Sequence, residues 1–384
     1  MKFGFFHDSP IILDNGKHYS RTLQSNIWDR YIQESDELIV STRVVRTAHG
    51  SAGSSEHERV SFRPIASYQS PLSLLLAGPK VIKEIGAALA DVDGAIVRLP
   101  SVVGWLTCFL ARLSGKPILI EVVGCSWDAY WHHSGLGRLM APIGYLATRF
   151  SVKDAPFVVY VTKSFLQKRY PTKGRSVSIS NVNIKPDVCN LNERLAKIES
   201  DSHYRHASIT VGSIGRIDLP YKGHASAIQA ISLLRDRGIE LKYEIVGPGD
   251  TTALEQLISE LGLDSQITLV GSLSSADLHT WLDSVDIYLQ PSLTEGLPRS
   301  VVEAMSHGAP VVLSDVGGHP ELVSVEYLYK AGDPEELADK IEEVLNTNLA
   351  VQASRNFEES KRFDRDELQN IRSKFLSRFK ESIV

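Results

Sequence analysis

The feature of this 384-residue sequence that most restricts its fold is a repeated alternation of short apolar runs with longer helical patterns. Such an alternation predicts an α/β fold built from doubly wound parallel sheets. In the first half the predicted strands are 2–7, 37–41, 94–98, 117–123, 157–161 and 177–183. In the second half they are 208–212, 242–246, 267–270, 286–289, 310–313 and 327–328. Two series in a chain too long for one ordinary core predict two domains.

The domain boundary is predicted in the polar stretch 186–206, which has helix-forming character but few large apolar residues. The predicted domains are therefore 1–190 and 205–363. In open parallel sheets, ligands bind in the crevice at the carboxyl ends of the strands. Two such Rossmann-like sheets facing each other predict a deep cleft between the domains as the place for a small-molecule site.

Charge is distributed unevenly between the two halves. Residues 1–185 contain 22 Lys and Arg against 14 Asp and Glu, whereas the remainder contains 19 against 32. The excess of the first half lies in 101–185, with 11 basic and 3 acidic residues. An anionic acceptor or an anionic membrane surface would explain this excess, and a solvated basic surface is the alternative.

Cysteine content and hydropathy predict a cytoplasmic location. The three cysteines have no metal-ligand spacing and fit a reducing compartment. The first apolar run is too short for a signal peptide, and no run approaches the roughly 20 residues of a membrane span. With the basic region 101–185, this predicts a cytoplasmic protein that contacts the inner face of the membrane peripherally.

The most informative motif is the segment 291–310, read as a strand end, a tight loop and a short helix. Pro298 is predicted at the first helical position and Gly308 at the end of the helix. Glu303 lies among apolar helix residues and needs a partner there. Glu295 lies in the preceding loop. Two carboxylates placed in this way can face one crevice, where sugar hydroxyls are natural donors to them.

Two glycine-bearing turns complete the motif set in the second half. In the first, Gly215 and Arg216 follow a predicted strand, and Lys222 precedes the next helix. An Arg and a Lys on either side of one turn can converge on a diphosphate. In the second, Gly247 and Pro248 form a turn that either lets a flat base approach the backbone or is purely structural.

These motifs resemble the retaining glycosyltransferases of family 4, which have the GT-B fold. The resemblance rests on the Gly-Arg…Lys-Gly turn, on Glu295 and Glu303, and on Gly317-Gly318…Glu321, and it is strongest over 208–330. It is weaker in the first half, where Val182 stands in place of a usual glycine after Asn181. The resemblance implies that the last helix, within 364–384, returns to the first domain.

The resemblance also implies roles for individual residues, of which Glu295, Arg216 and Lys222 are the expected catalytic ones. Arg216 and Lys222 would hold the donor diphosphate and neutralise it as it leaves. Glu295 would contact hydroxyls of the transferred hexose and Glu303 those of the ribose. The remaining donor-binding residues would be Gly296, Leu297, Gly215, Gly247 and Pro248.

The acceptor side is less well defined by sequence. Family members often carry a histidine after the strand matched by 117–123, and this chain has none there. The acceptor-side candidates are Arg98 at a strand end, Trp127, and His132 with its neighbour His133. For Trp127 and the two histidines, a packed aromatic cluster is the alternative. No metal or other cofactor is expected, because Arg216 and Lys222 supply the cations.

The predicted function is transfer of a sugar, with retained configuration, from a UDP- or GDP-sugar to a hydroxyl of a glycan or lipid-linked glycan. Bacterial surface polysaccharide or lipopolysaccharide synthesis is the expected context, and nucleic acid is not an expected partner. The alternatives are a sugar-nucleotide epimerase of similar architecture and a non-catalytic nucleotide-sugar binding protein. A nicotinamide-dependent oxidoreductase is disfavoured, because neither half begins with a Gly-x-Gly-x-x-Gly turn after its first strand.

Overall fold

A computed structural model describes residues 1–50, 52–68, 71–132, 135–200 and 209–383. The chain divides into two compact units. Unit 1 comprises Met1–Ile179 and Leu368–Val384, and unit 2 comprises Ser180–Glu367. The end of the predicted linker, 201–206, lies outside the described residues. Within the ranges given above, no helix has the length and apolar character needed to cross a bilayer.

Unit 1 contains nine strands and, up to Ile179, six helices among its described residues. The strands are β1 (Lys2–Asp14), β2 (Lys17–Ser20), β3 (Glu37–Arg46), β4 (Gly53–Ser54), β5 (Val60–Ile65), β6 (Gly94–Leu99), β7 (Ile118–Val122), β8 (Phe157–Tyr160) and β9 (Arg175–Ser178). The helices are α1 (Asp29–Ile32), α2 (Pro71–Ala90), α3 (Val102–Ser114), α4 (Ser126–Trp131), α5 (Gly135–Lys153) and α6 (Phe165–Arg169).

The sheet of unit 1 is largely parallel, in the order β5-β3-β1-β6-β7-β8-β9. Strands β6 and β7 are buried along their whole length, as expected for strands covered by helices on both faces. An antiparallel edge was not predicted: β2 pairs with the end of β1, and β4 pairs with β2. The Asn15-Gly16 turn that joins β1 to β2 is a recognisable hairpin signal.

Unit 2 contains six strands and most of the remaining helices. The strands are β10 (Ile209–Ile214), β11 (Leu241–Val246), β12 (Ile267–Gly271), β13 (Ile287–Gln290), β14 (Val311–Ser314) and β15 (Leu328–Tyr329). The helices are α7 (Val188–Ser200), α8 (His224–Asp236), α9 (Thr252–Glu260), α10 (Ser275–Ser284), α11 (Arg299–Ser306), α12 (Pro334–Leu345), α13 (Leu349–Ser360) and, continuing into unit 1, α14 (Arg365–Glu381).

The sheet of unit 2 is entirely parallel, in the order β12-β11-β10-β13-β14-β15. This is the Rossmann order, in which the chain reverses its direction of winding between the first strand and the fourth. The reversal lies between β10 and β13, which pair directly. Because successive crossovers leave this point on opposite faces, a crevice opens at the carboxyl ends of these two strands.

The stretch 186–206, predicted as a linker, contains helix α7. Arg194 of α7 is buried, and its guanidinium donates to the carbonyl oxygens of Leu282, Val285 and His307. All these partners belong to unit 2, so α7 is an integral part of that unit. The helix-forming character of this stretch thus corresponds to α7, and its few large apolar residues reflect a helix held partly by polar contacts, those of Arg194 and of Lys197 with Ser284 O and Asp286.

Helix α14 from Leu368 onward belongs to unit 1, as the family resemblance implies. Its Phe379 packs against Phe3 and Phe157, with ring centroids 5.6 and 5.5 Å apart. Phe375 makes an edge contact with Phe157 as well. A cluster of this kind buries a large apolar area, which holds the end of the chain on the first sheet.

Candidate active site

The candidate site lies at the point in unit 2 where the winding direction reverses. Strand β10 leads into the turn 215–222, and β13 leads into the loop 291–298. These two segments touch directly, since Leu293 N donates to Tyr221 O at 2.7 Å. Gly223 has φ +75°, and a Cβ there would lie 1.8 Å from Pro291 O. Only glycine fits that contact, so the close approach of the two segments requires it.

Lys222 and Glu295, 73 positions apart, meet at this point. Lys222 Nζ donates to Glu295 Oε1 at 2.6 Å, and both side chains are less than one-fifth exposed. Ser292 Oγ donates to the same oxygen at 2.9 Å. The pair is therefore held in position from the sheet side, while the ammonium keeps further N–H groups for another partner.

A chain of buried hydrogen bonds supports this pair from below. Gln290 Nε2 donates to Ser292 Oγ at 2.9 Å, and Gln290 Oε1 accepts from Tyr288 OH at 2.9 Å and from Ser300 Oγ at 3.0 Å. Tyr288 OH in turn accepts from Ile214 N at 3.2 Å. Satisfied buried networks are rigid, so the site has a fixed base that joins β10, β13 and α11.

Glu303 lies on α11 and has the partner that its position requires. Arg299 Nε donates to Glu303 Oε1 at 2.7 Å, one helical turn away. Arg299 is largely exposed and Glu303 is not. Burial raises the pKa of the Tyr288 hydroxyl, and the charges of Glu303 and Glu295 raise it further. Both carboxylates thus act on one hydroxyl, and the structure brings them to the same part of unit 2.

The loop after β14 closes on the segment that carries Glu295. Gly318 N donates to Gly296 O at 2.8 Å, and a Cβ on Gly317 would lie 1.9 Å from Glu295 O. Leu297 also approaches Gly318 closely. Gly317 and Gly318 therefore form a wall that contacts the backbone of residues 295–297 and holds it in place.

Arg216 lies on the other side of the turn and is held by a residue that sequence reasoning missed. Its Nε and Nη2 donate to the two oxygens of Asp218 at 3.0 and 2.5 Å, a bidentate pair. The guanidinium holds the pKa of Asp218 below its usual range. Arg216 is about half exposed, so Asp218 orients its guanidinium without removing it from solvent.

The glycine-bearing turns after β10 and β11 are packed together. Gly215 N donates to Val246 O at 2.9 Å, and Ile217 N donates to Pro248 O at 3.0 Å. Gly247, next to Pro248, donates its N–H to Gly271 O at 2.8 Å. The structure thus brings Gly215, Gly247 and Pro248 to one edge of the sheet, beside the turn that carries Arg216.

The arrangement combines two cations with two carboxylates on a rigid base. Cations at the carboxyl ends of parallel strands suit phosphate oxygens, and carboxylates suit the hydroxyls of a polyol. His224, buried beside Gly215, adds no charge, because burial, with a contribution from Lys222, lowers the pKa of its imidazole to about 4. Sequence reasoning missed Asp218, Gln290 and Ser292, although Gln290 ends the buried strand β13 and Ser292 lies in the loop between that strand and Glu295.

In unit 1 the acceptor-side candidate Arg98 is buried. Its Nη2 donates to Glu121 Oε2 at 2.9 Å and to Tyr31 OH at 2.8 Å, and Tyr31 OH also lies within 3.0 Å of both Glu121 oxygens. Burial alone would raise the pKa of Glu121, but Arg98 and Arg372 outweigh it and hold that pKa below its usual range. The guanidinium of Arg98 is thus the counter-charge of a buried carboxylate, a role that its position at a strand end did not indicate.

Replacing Arg98 by methionine is expected to destabilise the protein by about 3–5 kcal/mol, since it removes the hydrogen-bonded counter-charge of the buried Glu121. The measurement is equilibrium unfolding of Arg98→Met beside Arg21→Met, an exposed arginine of the same unit. Adding Glu121→Gln should recover part of the loss. Wild-type stability for Arg98→Met, combined with a raised KM for the acceptor, would instead indicate a binding role.

The other acceptor-side candidates lie on and after α4. Trp127 stacks on Trp131 with centroids 5.4 Å apart and meets Tyr145 edge-on. His132 ends α4 and is exposed, and His133 lies outside the described residues. Where the winding of unit 1 reverses, between β1 and β6, the carboxylate of Asp8 accepts from Val102 N at 2.6 Å and Val103 N at 3.0 Å. Sequence reasoning missed this residue, although it follows the first predicted strand.

Comparisons of the sequence and of the structure with known proteins point to the same class of protein. Residues 208–347 match the family model of glycosyl transferases group 1. The chain is 32% identical to Protein CapJ of Staphylococcus aureus, over 100% of this chain and 97% of that protein. It is 33% identical to the amylovoran biosynthesis glycosyltransferase AmsK of Erwinia amylovora, over 42% of this chain and 40% of that one.

Among solved structures, the chain is similar to Alr3699/HepE of Anabaena, crystallised in complex with UDP. The TM-score is 0.67 with 20% identity, covering 98% of this chain and 100% of that chain. At this identity the similarity establishes the fold, which is GT-B. With a relative above 30% identity along its whole length and a matching family model over the site, this chain belongs to the glycosyl transferases group 1 and is a glycosyltransferase.

Proposed function

We propose that this glycosyltransferase moves a sugar from a UDP- or GDP-sugar to a hydroxyl of a glycan or lipid-linked glycan, with retained anomeric configuration. The context we propose is synthesis of a bacterial surface polysaccharide. AmsK, a glycosyltransferase of amylovoran biosynthesis, and HepE, solved with UDP, support the context and the donor class respectively.

The observation that carries this proposal is the Lys222–Glu295 pair at the carboxyl ends of β10 and β13. A donor has an anionic diphosphate directly joined to a hydroxyl-rich sugar, and the pair offers a cation and a hydroxyl acceptor side by side. Lys222 can keep one N–H on Glu295 and direct the others to a phosphate oxygen. Glu295 can in turn accept from a hexose hydroxyl through its second oxygen.

In the reaction we propose, the acceptor oxygen attacks the anomeric carbon from the side on which the diphosphate leaves. The bond between that carbon and the phosphate oxygen breaks, and its electron pair leaves with the nucleoside diphosphate. The departing phosphate oxygen takes the proton of the acceptor hydroxyl. Lys222 and Arg216 stabilise the charge that grows on the diphosphate, which is the main electrostatic demand of the step.

The other donor contacts follow from the positions of the remaining groups. Glu303 would accept from the ribose hydroxyls, and the amides of Gly296 and Leu297, in the loop that carries Glu295, would assist at the hexose. Gly215, Gly247 and Pro248 would lie near the nucleoside. With two cations at the diphosphate, we propose that transfer requires no metal. We also propose that the protein acts in the cytoplasm at the inner face of the membrane, contacting it through the basic region 101–185.

Replacing Glu303 by glutamine is expected to weaken donor binding by about 10- to 100-fold, since hydrogen bonds to a charged acceptor contribute about 1.5–3 kcal/mol. Turnover of the saturated enzyme should change little, because the ribose is remote from the breaking bond. Thermal shift and calorimetric titration with a panel of nucleoside diphosphates and their sugars, each with and without EDTA, measure this effect. They also test the donor class and the metal-free site.

Arg299→Gln is the matched control for Glu303→Gln. It breaks the same ion pair but leaves the carboxylate in place. If the two variants lose donor affinity equally, Glu303 acts only through the fold of α11. Donor binding without transfer to any acceptor would favour a receptor, and conversion of the donor sugar without an acceptor would favour an epimerase.

A further inference from the structure

Helix α5 exposes its large apolar side chains and buries its small ones. Leu136, Leu139, Ile143, Leu146 and Phe150 recur at spacings of three and four residues, and each is between 56 and 72% exposed. The side that packs on unit 1 carries the following buried residues: Gly137, Ala141, Gly144, Thr148, Ser151 and Val152. This is the reverse of an ordinary surface helix, whose large apolar residues face the core.

The exposed surface continues onto α3. Phe109 and Leu113 are 55 and 70% exposed, and the guanidinium of Arg112 between them lies 4.7 Å from the ring of Phe150. Beyond Leu113, the apolar surface extends into a groove of about 300 Å³ between the ends of α2 and α3. The five side chains of α5 together with Phe109 and Leu113 are referred to below as the apolar face.

The apolar face is bordered only by positive charge on its own two helices. Arg112 on α3 and Arg138, Arg149 and Lys153 on α5 are all exposed, and neither helix contains Asp or Glu. Asp154, directly after α5, is paired with Lys173 at 3.4 Å. An apolar stripe flanked by Lys and Arg is the pattern of helices that lie in the interface of an anionic bilayer.

We propose that the apolar face inserts into the interfacial layer of an anionic membrane, with α5 lying parallel to the surface. This inference deepens the membrane contact proposed above and rests on it: the contact is the apolar face, and the basic residues around it bind the anionic headgroups. The helix lies on the membrane rather than crossing it. Exposed side chains of this size contribute strongly to binding once they leave water.

Charge argues for a bilayer over a second copy of the chain. Two apolar faces packed on each other would bring the same arginines and lysine close together with no acidic residue of α3 or α5 between them. Like charges brought together in this way oppose association. An anionic bilayer supplies the opposite charge and an apolar layer at once.

The test is co-sedimentation of the full chain with vesicles of phosphatidylcholine alone and of phosphatidylcholine with phosphatidylglycerol. Wild type is expected to bind the anionic vesicles. Leu139→Gln with Leu146→Gln should lower the partition coefficient by about 100-fold. Arg138→Gln with Lys153→Gln should lower it by about fivefold per charge on anionic vesicles and leave binding to neutral vesicles unchanged.

The matched control is Val325→Gln with Val351→Gln, two apolar residues of unit 2 that are as exposed as those of the apolar face. Unchanged vesicle binding in this control supports the proposal. Equal loss in both double variants, or no binding by wild type, would overturn it. A concentration-dependent dimer that Leu139→Gln with Leu146→Gln abolishes would show instead that the face joins two copies.

The same samples separate this inference from the proposed function. The thermal shift caused by nucleoside diphosphates depends on the donor site, which lies in unit 2. The variants of the apolar face, which lies in unit 1, should therefore retain this shift. Vesicle binding without any nucleotide response would support the membrane role of the apolar face and overturn the donor assignment. A nucleotide response without vesicle binding would support the donor assignment and overturn the membrane role of the apolar face.

Discussion

Replacing Lys222 by glutamine is expected to lower the turnover number by about 10²- to 10³-fold, the usual effect of removing one preorganised group that stabilises developing charge. Donor affinity should fall much less, since in the proposed donor complex Arg216 would still contact the diphosphate. Steady-state assays of nucleoside-diphosphate release at saturating donor measure the effect. Arg216→Gln should have a smaller effect, because its guanidinium is half exposed and shared with Asp218.

Two further variants separate chemistry from folding in this experiment. Lys330→Gln removes an exposed lysine of the same unit and should retain full activity. Lys222→Gln with Glu295→Gln removes both charges of the pair, so it should recover stability lost in the single variant but not turnover. Full turnover in Lys222→Gln would exclude the leaving-group role of this residue.

The second large effect is expected from Gly317→Ala. A Cβ at this position would lie 1.9 Å from Glu295 O, and φ is +56°. Both the backbone strain and the overlap with another backbone atom must be relieved, at a cost of about 3–5 kcal/mol. Since the atom displaced is the carbonyl of Glu295 itself, the variant is expected to lose donor binding along with stability. Thermal unfolding and nucleotide titration measure the two losses.

Gly238→Ala isolates the strain from the overlap. Gly238 has φ +83°, but a Cβ there would have no neighbour within 4 Å. Its cost should be only about 1–2 kcal/mol, the ordinary penalty for a left-handed residue, and donor binding should remain. If Gly317→Ala resembled Gly238→Ala in both measurements, the wall formed by 317–318 would not be holding Glu295.

Much of the candidate site could be predicted from the sequence, because its motifs are local. Arg216 and Lys222 lie on one turn, and Glu295 and Glu303 lie eight positions apart. Glycine and proline mark the ends of strands, and the carboxyl ends of parallel strands are where ligands bind. What a local motif cannot predict is the partner of each charge, and here the structure adds Asp218 to Arg216, Ser292 to Glu295 and Arg299 to Glu303.

The features that the sequence did not reveal have a common physical cause. Arg98 has the same position at a strand end as a binding residue, but Glu121 and Tyr31 hold it inside unit 1. Helix α7 has few large apolar residues, because polar contacts, among them those of Arg194 with buried carbonyl groups, help to hold it on unit 2. Helix α5 was not predicted at all. Its apolar residues do have a helical spacing, but only the packed structure reveals that they face outward.

The sequence by itself determined the two α/β series, the position of the candidate site on the second of them and the residue types that we propose to meet a diphosphate and a sugar. Periodicity, turn chemistry and short motifs depend on neighbours along the chain, so they can be read from one sequence. The tertiary structure alone decided that β10 pairs with β13, and so brought Lys222 within 2.6 Å of Glu295. Strand order, burial and charge pairing depend on residues far apart in the chain, and no local pattern encodes them.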